Sequence, residues 1–189
     1  DRYRRQRQMC IRDRIKFDEA MKQTIDMASA AYKNEGGIVG VPTGLRDLDY
    51  KLGGLHQSDL IIIAGRPSMG KTSLATNIAF NAAKNLQDSG KKSSIAFFSL
   101  EMSSEQLSTR IISEQARISS NDIRQGRISD DQFDKFLETS KDIADLPLYI
   151  DETPALSIAA MSNRARRIKR RSGLDLSLIH ISEPTRLIG

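Results

Sequence analysis

Eight consecutive residues combine two glycines, a lysine and a hydroxyl side chain at the spacing of a phosphate-binding loop. The stretch matches G-x-x-x-x-G-K-[ST] and consists of Gly65, Arg66, Pro67, Ser68, Met69, Gly70, Lys71 and Thr72. Glycines let consecutive backbone N–H groups turn toward a phosphate chain, and the lysine supplies a cation for the terminal phosphates. The threonine hydroxyl is a ligand for a Mg²⁺ that bridges those phosphates. The stretch therefore predicts a site for a nucleoside triphosphate.

The flanking residues predict the strand and the helix that such a loop needs on either side. Residues 60–63 are all aliphatic, which predicts a strand buried on both faces of a parallel sheet. Leu74, Ile78, Ala82 and Leu86 recur every four residues and predict the buried face of a helix, whose N-terminus favours anions.

Strands and helices alternate along the rest of the chain. Strands are predicted at 94–100 and 146–151, and helices at 17–32, 121–125, 130–143 and 157–171. Ser103 and Gln106 predict a capping box for a further helix, whose core side carries Leu107, Ile111 and Ile112. The alternation predicts an α/β fold with a mainly parallel sheet flanked by helices.

Glu101 directly follows the strand predicted at 94–100. Ligands of parallel sheets bind at the carboxyl ends of the strands, where a carboxylate can orient a water molecule. Spacing alone leaves open whether Glu101 is catalytic or an ordinary exposed residue before a helix.

Composition sets few limits. The 189 residues suit a single domain, the net charge is +5, and the one cysteine, Cys10, excludes an intrachain disulfide. No apolar run approaches the roughly 20 residues that cross a bilayer, so we expect a cytoplasmic protein. A basic run from Arg164 to Arg171 predicts a solvated helix end, with a subunit or DNA contact as the alternative.

The two ends are related through their codons. Residues 9–13 can be encoded by an oligonucleotide whose reverse complement, extended by a few bases, encodes residues 176–182, as if one DNA adaptor had been translated from both strands. We therefore predict a non-native leader at 1–14 and a non-native tail at 177–189. Seven basic and two acidic residues lie in 1–16, so the net charge then carries no functional information.

The middle of the chain is similar to a known family. The segments GVPTGLRDLDYKLGGLHQSDLIIIAGRPSMGKTSLATNIA, FFSLEM and LYIDETPALSI resemble the C-terminal motor domain of bacterial replicative DNA helicases of the DnaB family. The resemblance extends over residues 17–176. It predicts a linker helix at 15–36 and a partial RecA-like P-loop ATPase domain at 37–176.

This resemblance implies ATP-driven 5′ to 3′ unwinding at the replication fork, with ATP and Mg²⁺ as cofactors. It implies catalytic roles for Lys71 and Glu101, with Glu101 polarising the attacking water, and a Mg²⁺-binding role for Thr72. It further implies a homo-hexamer around single-stranded DNA, a linker helix that docks on the neighbouring subunit, primase and helicase-loader partners, and no membrane association.

The sequence departs from the family pattern near His180. The family has there an apolar strand that ends in the Walker B aspartate, which helps hold Mg²⁺, whereas an imidazole lacks the negative charge that Mg²⁺ prefers. The DNA-contacting loops and the arginine finger of the family are also missing. We therefore expect a fragment, truncated before the Walker B strand, that binds nucleotide without efficient turnover or unwinding.

Three alternatives stay open. The chain could be a RecA-like recombinase or regulatory ATPase, or a non-hydrolysing nucleotide-binding module with a genuine tail. A primase–helicase fusion would also share this motor sequence.

Overall fold

A computed structural model describes residues 16–33 and 38–181. The chain divides into two compact units, one up to Val39 and one from Gly40 onward. The first unit contains α1 (Phe17–Lys33). The second contains, in chain order, α2 (Arg46–Leu52), α3 (Lys71–Asp88), β1 (Ile95–Ser99), α4 (Ser104–Ala116), α5 (Ser120–Gln125), α6 (Asp130–Asp142), β2 (Leu148–Asp151), α7 (Ile158–Ser172) and β3 (Leu176–His180).

Helix α1 confirms the helix predicted at 17–32. Asp18 and Glu19 lie in its first turn, where negative charge stabilises a helix N-terminus. Its predicted apolar stripe is exposed, including Phe17 and Tyr32. The predicted leader lies outside the described residues, and the predicted tail is described only as far as Ile181.

The sheet is parallel, as predicted, with the strand order β2–β1–β3. The central strand β1 is buried along its whole length, so both of its faces contact helices. Ile95 and Phe97 pack in one cluster with residues of α3 and with Leu107 of α4. Ala96 and Phe98 pack on the opposite face with Met161 of α7. Two layers of helices therefore enclose the strand that leads to Glu101.

The prediction of a strand at residues 60–63 is wrong. These residues have no regular structure, and their four aliphatic side chains are 40–86% exposed. A strand forms only where a neighbour accepts and donates its backbone hydrogen bonds. None of the three strands in the described part of the chain pairs with this segment.

A strand follows at Leu176–His180, where the sequence predicted the end of the domain. Successive side chains of this strand point to opposite faces of the sheet. Leu176 and Leu178 pack against the core cluster, while Ser177 and Ile179 are exposed, which explains the position of the strand. The strand pairs with β1 from Ile95 onward, which brings its last residue level with Ser99.

The predicted capping box is confirmed at the start of α4. The Ser103 side chain accepts from the backbone N–H of Gln106, whose side chain accepts in return from the Ser103 N–H. Leu107 and Ile111 are buried, and Ile112 is half-buried. This cap fixes where α4 begins, three residues after Glu101. Within the described ranges, no helix has the length and hydrophobicity to span a membrane.

Candidate functional site

The predicted phosphate-binding loop leads directly into α3. Gly70 is the N-cap residue of that helix and has φ of 84°, a left-handed conformation that favours glycine. It provides no capping side chain, and the first turn of α3 contains no acidic residue. Residues 65–70 are exposed. The positive end of α3 is therefore open to an anion such as a phosphate.

Three side chains at the beginning of α3 carry the polar chemistry. Lys71 and Thr72 are its first two residues and are half-buried. Arg110 from α4 donates to the hydroxyl of Ser73 over 3.3 Å. Lys71 and Arg110 thus place two positive charges at the N-terminus of α3, where the loop is predicted to bind phosphate. The contribution of Arg110 was not predicted, since nothing in the sequence pairs α4 with α3.

His180 at the end of β3 reaches into this group. Its Nε2 lies 2.8 Å from the hydroxyl of Thr72 and 3.8 Å from a carboxylate oxygen of Glu101. Its ring stands 6.3 Å from that of Phe97, and its side chain is 10% exposed. Sheet pairing produces the arrangement, because the N–H of Leu100 donates to the carbonyl oxygen of His180. The fold therefore brings the predicted residues Thr72 and Glu101 together around an imidazole.

The pKa of His180 lies below its ordinary value. Burial is the main cause, and the charges of Arg110 and Lys71 act in the same direction, whereas Glu101 opposes them. At neutral pH the ring is therefore uncharged and its contact with Glu101 is not an ion pair.

The donor atoms fit Mg²⁺ poorly. Mg²⁺ prefers oxygen ligands in near-ideal octahedral geometry, but the Thr72 hydroxyl is bonded to an imidazole nitrogen. Nδ1 of the same ring is buried without a hydrogen-bond partner among the described residues, whose hydrogen bonding thus satisfies only one side of His180. No group of three or more His, Cys, Asp or Glu side chains suited to a metal occurs in the described part of the chain.

A cleft of about 440 Å³ opens beside Glu101 at the carboxyl ends of β1 and β2. It is lined by residues 99–103 and 152–154. Glu152 accepts from the backbone N–H of Ser104, the first residue of α4, which joins the loop after β2 to the segment that carries Glu101. Ligands of parallel sheets bind at the carboxyl ends of the strands, and the strand predicted at 146–151 ends just before Glu152. This rule could have indicated Glu152 from the sequence.

Asp151 anchors the loop on which Glu152 stands. Its carboxylate accepts from Arg164 Nη1 at 2.6 and 2.8 Å and from the N–H and hydroxyl of Thr153. Arg164 belongs to the basic run predicted to be solvated, and for this one residue the prediction is wrong. Its guanidinium instead pairs with Asp151, which the tertiary fold brings close to it. Arg166, Arg167, Lys169, Arg170 and Arg171 are exposed as predicted.

The Asp151→Asn substitution is expected to lower the free energy of unfolding at neutral pH by about 1 kcal/mol, because Arg164 is partly exposed and its ion pair is screened. Burial opposes ionisation of Asp151, but the hydrogen bonds from Arg164 and Thr153 outweigh it and hold its pKa below the ordinary value. The stabilisation is therefore present above the unfolded-state pKa of about 3.9 and is lost as the pH falls below it.

Urea denaturation from pH 7 to pH 3 measures this dependence. The difference between wild type and Asp151→Asn should shrink as the pH falls, and a constant difference would refute the role of the ionised carboxylate. Asp145→Asn is the matched control, because Asp145 is exposed and makes no side-chain hydrogen bond among the described residues.

Comparison with known proteins identifies the family. The family model described as DnaB-like helicase C terminal domain matches residues 40–182, about three quarters of the chain. The chain belongs to this family. The resemblance to the C-terminal domain of DnaB-family helicases, which the sequence indicated, is confirmed.

Individual relatives agree with this membership. The replicative DNA helicase DnaB of Rickettsia prowazekii (strain Madrid E) is 46% identical over 165 residues, which is 85% of this chain and 34% of the relative. The replicative DNA helicase DnaC of Bacillus subtilis (strain 168) is 35% identical over 161 residues, again 34% of the relative. The DnaB-like domain thus spans about a third of the length of these relatives.

Solved structures share the fold. The ATPase domain of G40P superimposes with a TM-score of 0.78 at 25% identity and covers 92% of this chain and 61% of that one. A DnaB-like replicative helicase, solved in a study of its interactions with primase, superimposes with a TM-score of 0.73 at 24% identity over 92% of this chain and 41% of that one. The α/β RecA-like fold expected from the sequence is confirmed.

Proposed function

We propose that the DnaB-like domain is the ATP-binding part of a replicative DNA helicase that couples ATP hydrolysis to 5′ to 3′ unwinding at the replication fork. The observation that carries the proposal is the loop at 65–70, which ends at an open helix N-terminus beside Lys71, Thr72 and Glu101. The membership of the family and the names of the relatives support the same reading of the site.

The residues have distinct roles in this proposal. The loop amides and Lys71 hold the phosphates, and the hydroxyl of Thr72 is the protein ligand of the accompanying cation. Glu101 orients the attacking water, a task for which its half-exposed carboxylate at the edge of the cleft is suited. For the whole protein, we propose Mg²⁺ as the cation. In this chain no catalytic step is assigned to Mg²⁺, because the Thr72 hydroxyl is hydrogen-bonded to His180.

The partners follow from the same membership. We propose that the whole protein is cytoplasmic and forms a homo-hexamer around single-stranded DNA, with α1 as the linker helix between subunits. Primase and a helicase loader are the proposed protein partners. The primase interaction named for the similar helicase structure supports the first of these.

Isothermal titration of this chain with ATP tests the nucleotide-binding core of the proposal. Saturable binding of one ATP per chain supports it, and the absence of heat for a folded chain would overturn it. Unwinding by a protein extended with the genomic sequence on both sides then separates a helicase from a RecA-like recombinase or a regulatory ATPase.

ATP turnover by the 189-residue chain is expected to stay close to background, even with single-stranded DNA and Mg²⁺ present. Residues 60–63, which precede the loop, pair with none of the strands in the described part of the chain. In addition, the imidazole of His180 is hydrogen-bonded to the hydroxyl of Thr72. Phosphate release measured with and without DNA checks this, with Lys71→Ala as the background control. DNA-stimulated release that the control lacks would contradict the expectation.

A non-hydrolysing nucleotide-binding module is the second candidate, favoured by His180 at the position of an acidic residue. Sequencing the source DNA beyond the codon for Leu176 distinguishes the two. An apolar strand ending in aspartate supports the helicase, whereas genomic codons for His180 followed by a stop support the module.

A further inference from the structure

Glu101 stands in a short turn between β1 and α4, so its position depends on how that turn is held. The N–H of Met102 donates to the hydroxyl of Ser99 over 3.0 Å, and Ser99 is buried. The capping box that starts at Ser103 fixes the first turn of the helix. These contacts all lie within residues 99–106. They set the shape of the turn, but they do not fix it against the other segment that lines the cleft.

Glu152 provides a contact from that other segment. Its carboxylate accepts from the N–H of Ser104, the first residue of α4. The N–H groups in the first turn of a helix have no partner within the helix, and a negative charge is stabilised there. The hydrogen bond from Ser104 lowers the pKa of Glu152, so the carboxylate is charged at neutral pH and the bond is charge-assisted. Glu152 and Glu101 both line the cleft, and Glu152 therefore ties the two segments of the cleft together.

The loop that carries Glu152 is held in turn by α7. Asp151 accepts from Arg164 and from Thr153, and Arg164 also donates to the hydroxyl of Thr153. Ala155 has φ of 51°, a conformation that residues with a side chain rarely adopt. Such a backbone persists only where the surrounding contacts determine it, and it is typical of functional sites. The carboxylate of Glu152 is therefore presented by a fixed loop rather than by a mobile one.

We propose that Glu152 is a positioning residue for Glu101. By holding the beginning of α4 against the loop after β2, it keeps the carboxylate of Glu101 at the edge of the cleft, where that carboxylate orients the attacking water. Catalytic groups need placement to within about 0.5 Å, and a misplacement of about 1 Å can cost about 100-fold in rate. The inference rests on the proposed ATP hydrolysis by the whole protein, and it assigns a residue that acts on the reaction only through Glu101.

NMR spectroscopy of the 189-residue chain tests the contact, and ATP turnover of the whole protein, extended with the genomic sequence on both sides, tests its consequence. In Glu152→Ala the amide signals of Ser104, Met102 and Glu101 should all shift. In the whole protein, Glu152→Ala should lower kcat about tenfold and leave KM for ATP within about twofold, because the bound nucleotide keeps its own contacts. Glu152→Gln keeps an uncharged acceptor of the same reach and should lower kcat only about threefold.

Glu105→Gln is the matched control, because Glu105 is exposed in the first turn of the same helix and makes no side-chain hydrogen bond among the described residues. Removal of its charge changes the electrostatics of the helix end without touching the bond to Ser104. It should leave kcat and the amide signal of Glu101 unchanged. Glu101→Gln sets the scale, with an expected loss of about 100-fold or more in kcat. Circular dichroism establishes that each variant folds.

The possible failures separate this inference from the proposed function. An unchanged kcat in Glu152→Ala, with Glu101→Gln inactive, refutes the positioning role and leaves the proposed function intact. An increased KM at unchanged kcat, or an equal loss in Glu105→Gln, has the same meaning. Absence of turnover by the whole protein, or full turnover by Glu101→Gln, refutes the proposed function of the site as well. If Glu152→Ala does not fold, Glu152→Gln decides in its place, since the threefold loss at unchanged KM supports the inference and a wild-type kcat refutes it.

Discussion

Substitution of Lys71 by alanine is expected to weaken ATP binding about 100-fold, which corresponds to about 3 kcal/mol. Lys71 is the first residue of α3 and stands at the helix end that the glycine loop leaves open. The loss of a cation beside several phosphate charges removes a charge-assisted contact that the backbone amides cannot replace. Isothermal titration or fluorescence of a labelled nucleotide measures the effect.

Lys84→Ala is the matched control, because Lys84 is exposed on the same helix, more than three turns from the loop. It should bind ATP as tightly as the wild type. If Lys71→Ala and Lys84→Ala bind equally well, the loop at 65–70 is not the nucleotide site.

The Asp49→Ala substitution is expected to lower the free energy of unfolding by about 3 kcal/mol. Asp49 is 5% exposed, and its carboxylate accepts from the N–H and hydroxyl of Thr43 and from the N–H of Gly44. Removing it leaves the N–H and hydroxyl of the buried Thr43, and the N–H of the exposed Gly44, without this acceptor. The carbonyl of Thr43 also accepts from Asn81 of α3, so the same network holds the helix that begins at the loop.

Asp47→Ala on the same helix provides the comparison. Its carboxylate is 92% exposed and lies 3.8 Å from an equally exposed Arg46, so the change should stay within about 0.5 kcal/mol. Urea denaturation followed by circular dichroism measures both variants. A loss of less than 1 kcal/mol in Asp49→Ala would mean that water replaces the carboxylate and that the network contributes little.

Much of the local structure could be predicted because it depends on neighbours in sequence. The capping box at Ser103 and the helix that follows the loop are set by residues within one or two turns. The strand that became β1 was predicted because an uninterrupted apolar run fits a sheet covered on both faces. The phosphate-binding role of residues 65–72 could be predicted for the same reason, since all of its chemistry lies in eight consecutive residues, and it stays a prediction.

The strand predicted at 60–63 shows the limit of such patterns. Its aliphatic residues satisfy every local criterion, yet a strand exists only when another strand provides its hydrogen bonds. In the described residues the sheet ends at β3, and the segment stays exposed. Conversely, β3 was not expected beyond Leu176, although the inward packing of Leu176 and Leu178 pairs it with β1.

By itself the sequence predicted a phosphate-binding role for residues 65–72, and it determined the parallel α/β arrangement and the position of Glu101 at a strand end, because spacing along the chain encodes all three. Only the tertiary structure decided what surrounds them. Thr72 and His180 are 108 positions apart, and they meet because β3 lies beside β1. Contacts of that kind depend on which strands pair and which helices cover them, and the choice is made by burial of the whole core rather than by any local pattern.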